Sequence, residues 1–146
     1  MDDDDPQILS ALRERVEDSP FHAGFGVHVD GAAEGAVQLS WQAGPEHLNL
    51  QGLVHGGLLA TLADMAMGLA VRSALEGGRR HVTIELSVRY LRPAHPGAVV
   101  AEGRVVRVGR QIAFADAEVR DAAGRSLVRA GGTYSVTSGS PETAAQ

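Results

Sequence analysis

Residues 49–68 read NLQGLVHGGLLATLADMAMG, and this stretch decides how the rest of the chain is read. A polar, glycine-bearing turn runs directly into a long apolar segment that stops at Gly77–Gly78. Leu58, Leu59, Leu62, Met65, Met67, Leu69 and Val71 leave almost no polar face. The segment from about Gly56 to Leu75 is therefore expected to be a helix enclosed on most sides. The glycine pair beyond it is a helix-stop signal. Its interruptions, Thr61, Asp64 and Gly68, recur at spacings of three and four and share one stripe. Asp64 stands out, because a carboxylate on an apolar helix is costly unless it is paired or does chemistry. At the helix start, Gly56–Gly57 leave backbone N–H groups without intrahelical acceptors, open to an anion or a carbonyl oxygen.

Upstream, Pro6 to about Val16 carries helical periodicity in Ile8, Leu9, Leu12 and Val16, follows acidic residues, and is closed by Asp18-Ser19-Pro20. The charge run at residues 1–5 is expected to be frayed and solvated. Phe25–Asp30 and Ala36–Gln42 alternate polar and apolar residues around glycines and are expected to form a hairpin. Downstream, His81–Leu91 alternates with Val82, Ile84, Leu86, Val88 and Tyr90 on one face. Three more strand-like segments follow, at 99–108, 112–120 and 125–136. The short connections RPAHPG, VGRQ and DAAGR predict an antiparallel meander. The expected class is α+β: one antiparallel sheet wrapped around one long central helix, preceded by a helical extension over 1–24 and followed by a disordered tail over 138–146. One sheet around one helix leaves a face and an edge uncovered, and dimerisation is the natural remedy.

Composition narrows the function. A chain of 146 residues suits one domain with a real core, and aromatics at 4% mean that core must be built from Val, Leu, Ala and Ile. The absence of cysteine excludes disulfides, thiolate nucleophiles and thiolate metal sites, and is compatible with the expected cytoplasmic location. A net charge of -5 argues against nucleic acid as the main partner. The acidic start is unlike a secretory signal, and no apolar run reaches the roughly 18 residues of a membrane span. His47, His55, His81 and His95 are too scattered for a metal signature. No phosphate-cradling G-x-x-x-x-G-K loop and no G-x-S-x-G nucleophile element is present.

Asn49, the triplet His55-Gly56-Gly57, Asp64 and the later strand SVRYLRPAHPG, taken with the element order, resemble the hotdog-fold acyl-CoA thioesterases. The match is closest to the branch holding the phenylacetate-pathway and 4-hydroxybenzoyl-CoA thioesterases, and it covers about Phe25 to Val136, within an expected hotdog domain over 25–137. The resemblance implies an acyl-CoA thioester as substrate and no cofactor. It also implies a homo-oligomer, a dimer at the least, with a dimer of dimers left open. Asp64 would be the catalytic carboxylate, as nucleophile or as general base on water. The Gly56 N–H would polarise the thioester carbonyl, Asn49 would help to position water or thioester, and Thr83 would hold the water. His55 and Gly57 would support them. Arg89, Arg92, Arg107 and Arg110 are candidates for the coenzyme A phosphates.

Plainer alternatives stand beside these roles. Asn49 reads equally as a loop cap, His55 as a helix cap, and each arginine as a solvated surface group. Thr83 falls, by alternation, on the face opposite Val82 and Ile84. Two rival functions share the motif: a hydratase or dehydratase on acyl-CoA or acyl carrier protein that pairs His55 with a carboxylate, and a non-catalytic acyl-CoA-binding protein. Geometry adds a constraint of its own. Gly56 and Asp64 lie roughly 12 Å apart along one helix, whereas attack needs reacting atoms within about 3 Å. If both act on one thioester, they come from two chains.

Overall fold

The structure, a computed structural model, describes residues 3–139. From residue 140 on, the expected tail lies outside the described residues. The chain begins with α1 (Pro6–Asp18) and the short α2 (Pro20–Phe25), followed by β1 (His28–Ala33) and β2 (Ala36–Ala43). A single 3-10 turn at Pro45–His47 leads to the central helix α3 (Gly56–Ser73). The strands β3 (Arg80–Tyr90), β4 (Gly97–Val108), β5 (Ile112–Asp121) and β6 (Ser126–Thr137) complete the fold.

Of the run expected to be frayed, residues 1–2 lie outside the described residues and Asp5 is held in place. Asp5 caps α1, its carboxylate accepting from the N–H groups of Gln7 and Ile8, and its own N–H donates to Ala32 O at 2.8 Å. Orphan N–H groups at a helix start need such an acceptor. Pro20 does end α1, but with Ser19 as cap it also opens α2. Side-chain bonds also pin this extension to the sheet, among them Arg13 Nε donating to Val29 O at 2.9 Å and Trp41 Nε1 to Phe25 O at 3.0 Å. Leu12 and Val16 are buried beneath it.

All six strands form one antiparallel sheet in the order β1-β2-β4-β5-β6-β3. The meander expected over the last four strands holds only for β4-β5-β6. β3 sits at the far edge, paired with β6, and β4 pairs with β2. The segment RPAHPG is therefore a crossover and not a hairpin. Its two prolines, Pro93 and Pro96, cannot donate to a ladder and favour extended chain. It runs past the base of α3, where Val54 N–H donates to Ala94 O.

α3 lies across the concave face, burying Leu59, Leu62, Ala66, Met67 and Ala70 against the sheet. Contact is closest at Gly103 of β4, where an added Cβ would come within 2.2 Å of Ala66 O. Neither backbone can yield without shifting the helix. Gly103→Ala is accordingly expected to cost about 3 kcal/mol, measured as a drop in the urea midpoint at unchanged slope. A loss below about 0.5 kcal/mol would contradict this packing.

The second departure lies in β3. Its pairing with β6 shifts register between Thr83 and Glu85, so Ile84 is an extra, bulged residue. Before the bulge, His81 and Thr83 face α3; after it, Leu86, Val88 and Tyr90 do. The single-face alternation read from the sequence is thus split, leaving Val82 67% and Ile84 58% exposed on an edge strand. No helix among the described residues is long and apolar enough to cross a membrane.

Candidate active site

The polar stripe of α3 borders a cleft of about 460 Å3 between α3, β3 and the α1–α2 segment. Asp64 is half-buried in its wall. Its Oδ1 accepts two hydroxyl hydrogen bonds, from Thr83 Oγ1 at 3.0 Å and from the Tyr134 phenol at 2.9 Å. Both reach it because of strand geometry. The bulge turns Thr83 toward the helix, and Tyr134, directly opposite Thr83 in the β3–β6 ladder, is on the core face of β6. Burial, and then the Asp64 charge beside it, push the Tyr134 phenol well above its ordinary value, so it stays protonated and donates. Both donors go to one oxygen, and no hydrogen bond among the described residues takes Oδ2.

His81 stands next to this cluster, with its Nε2 beside Gly68 and its ring edge-on to Tyr134 at 5.7 Å. Burial first, then the charges of Arg72 and Arg15, hold its imidazole below the ordinary value against the opposing pull of Asp64. His81 is therefore neutral near pH 7.

The other expected residues gather elsewhere. Asn49, Gly56, Tyr90 and Arg92 line a separate shallow hollow of about 360 Å3 at the base of α3. No acceptor among the described residues takes the Gly56 N–H. The Tyr90 phenol donates to Gly56 O at 2.7 Å, and its ring comes within 3.0 Å of where a Gly56 Cβ would be. Asn49 Oδ1 accepts from Gln51 N–H and Leu53 N–H, so its carbonyl shapes its own loop and only Nδ2 remains for a ligand. His55 caps α3, its Nδ1 accepting from Gly57 N–H at 2.9 Å. That bond occupies the Gly57 donor.

The structure thus brings Asp64 together with Thr83, and Gly56 with Asn49 and Arg92, but not the two groups with each other. Of the remaining arginines, Arg89 faces the outer side of the sheet beside Arg129 and Glu118, and Arg107 and Arg110 flank the β4–β5 turn. None of the three borders the cleft or the hollow. Among the described residues no cluster of three or more His, Asp or Glu could hold a metal ion. Sequence reasoning missed Tyr134 and Arg72. The usable signals were a tyrosine on the core face of a strand, and a cation one turn beyond Gly68 on the stripe already singled out.

Comparison with known proteins gives the family and the fold relatives. Residues 51–128, just over half the chain, match the family model described as thioesterase superfamily. A Halobacterium salinarum protein provisionally named an esterase is 40% identical over 126 residues, 81% of this chain and 80% of its own length. Human acyl-coenzyme A thioesterase 13 is 32% identical over 101 residues, covering 68% of this chain and 71% of that protein. In fold, the Escherichia coli PaaI protein from the phenylacetic acid degradation operon superposes with a TM-score of 0.84 at 22% identity, covering 92% and 96% of the two chains. The chain belongs to the thioesterase superfamily: it is a thioester hydrolase built on the hotdog fold.

Proposed function

We propose that the protein hydrolyses acyl-CoA thioesters to a free acid and coenzyme A, at a site shared by two protomers. The observation that carries this reading is the separation of Asp64 with its two hydroxyl donors from the free Gly56 N–H. Water is held by Asp64 Oδ2 and attacks the carbonyl carbon while its proton passes to the carboxylate. The oxygen that gains charge takes the Gly56 N–H of the partner subunit, at the positive end of a helix. Collapse expels the coenzyme A thiolate, which takes the proton, and leaves the acid. Direct attack by Oδ2 would instead expel the coenzyme A thiolate and leave an acyl anhydride on Asp64, which water would then cleave to the free acid and the regenerated carboxylate, with the proton passing to the thiolate.

The exposed edge strand supports the two-chain reading. On β3, Thr83 adjoins Asp64 and Tyr90 adjoins Gly56. Antiparallel pairing of two β3 edges about a twofold near Ser87 would set Thr83 against Tyr90 of the partner subunit, and so Asp64 against the partner's Gly56. It would also pair the open backbone edge of β3. The hydratase reading loses its histidine, since His55 Nδ1 is committed to the helix cap.

The test is release of free thiol from a panel of acyl-CoA esters, with the acyl β-carbon checked for change. Thiol without such change is expected; ligand binding without thiol release would overturn the proposal. Thr83→Val and Tyr134→Phe each remove one donor to Asp64 and are expected to lower kcat about tenfold with little change in KM. Their combined loss should fall short of the product, because they share one oxygen. Full activity in the double variant would remove both from the mechanism.

A further inference from the structure

The stripe on α3 does not end at Gly68. Arg72 continues it one turn on, so Thr61, Asp64, Gly68 and Arg72 all border the same cleft. Gly68 between them has no side chain, and the His81 imidazole lies against it, 3.4 Å from where a Cβ would be. Arg72 Nη2 donates to Leu75 O at 2.9 Å and Nη1 donates to Arg79 O, which fixes its head while leaving further N–H groups unused. Across the cleft, α1 contributes Arg15. Among the described residues no carboxylate pairs with either guanidinium. Glu17, next on α1, borders a different hollow with Arg13 and His28.

The two cations feel each other. Burial, then the charge of Arg15, lowers the pKa of Arg72, and both arginines act on His81. Among the described residues lining the cleft, Asp64 is the one acid, and it is committed at the opposite end. Two like charges across a cleft are unfavourable until an anion bridges them. The wall between the two ends is apolar, formed by Phe21, Met65, Leu69 and Val82.

We propose that Arg15 and Arg72 form an anion-binding subsite of the substrate, roughly 12 Å from Asp64 along α3. It takes a ligand with a thioester at one end, an apolar stretch, and a negative charge at the other. The inference rests on the acyl-CoA reading. Two parts of such a substrate carry the chemistry: a carboxylate at the far end of the acyl group, or the phosphates of coenzyme A.

Calorimetry with non-hydrolysable thioether analogues separates these sources without relying on turnover. The ligands are the analogues of octanoyl-CoA, of suberoyl-CoA (the same chain with a terminal carboxylate) and of octanoyl-pantetheine, which lacks the phosphates. Arg15 is exposed, so Arg15→Ala keeps the fold, and Arg15→Lys retains the charge. Arg15→Ala is expected to cut by about tenfold one of two preferences: suberoyl over octanoyl, or CoA over pantetheine. The first outcome assigns the subsite to the acyl carboxylate and the second to the phosphates, with Arg15→Lys recovering most of the loss in either case. If neither Kd ratio moves, the subsite is refuted. Binding of the analogues by a wild type that releases no thiol from the matching thioesters would instead defeat the hydrolase reading and leave these ratios legible.

Discussion

Asp64→Asn is expected to lower kcat for thioester hydrolysis by about a thousandfold or more. The substitution is nearly isosteric, and the amide oxygen can still accept from Thr83 and Tyr134, so the cluster keeps its hydrogen bonds. What disappears is the basic, negatively charged Oδ2 that takes the proton from water or attacks the carbonyl. Folding should be unaffected, since Asp64 is half-buried and its removal opens no cavity. Thiol release measured beside a thermal melt separates the two effects. Activity within about tenfold of wild type at an unchanged melt would remove Asp64 from the chemistry.

The second large effect concerns two chains at once. Gly56→Pro removes the Gly56 N–H while keeping the backbone of the helix start. Gly56 is the first residue of α3, where proline is well tolerated, and His55 already has φ -59° and ψ 126°, extended backbone that suits a following proline. The ring must displace Tyr90, which is exposed enough to step aside. Gly56→Pro and Asp64→Ala are each expected to be inactive as homodimers. A heterodimer of the two, purified with one tag on each chain, holds one intact site and one doubly damaged site. It should recover about half of wild-type turnover. Sites confined within single chains predict no recovery, and that outcome would end the shared-site proposal.

Much of this was legible in the sequence because it rests on local rules. The helix at 56–73 follows from uninterrupted apolar periodicity, and its start from the glycine pair after a capping histidine. Turn chemistry located most of the strands. What escaped depends on contacts between distant segments. Nothing near residues 91–96 says that β4 will pair with β2 and push β3 to the edge. The alternation of His81–Leu91 looked unbroken, since an isoleucine in a bulge is indistinguishable from one in a ladder. That one residue puts Thr83 on the same face as Leu86, Val88 and Tyr90, which unbroken alternation would have placed opposite it. Tyr134 was likewise invisible as a partner of Asp64, lying 70 positions away. The cation pair of the cleft needed α1 folded back against α3, which periodicity within α1 cannot state.

The extra residue in β3 makes the centre depend on chain length more than on side-chain identity. Whatever stands at position 84 points to solvent, so its type is free to drift. Its presence is not, because the backbone must spend an odd step there if Thr83 and Tyr90 are both to meet the same helix. In related chains the informative variation around this strand is therefore where gaps fall, and a residue-by-residue match that shifts one gap would exchange the inner and outer faces of half the strand.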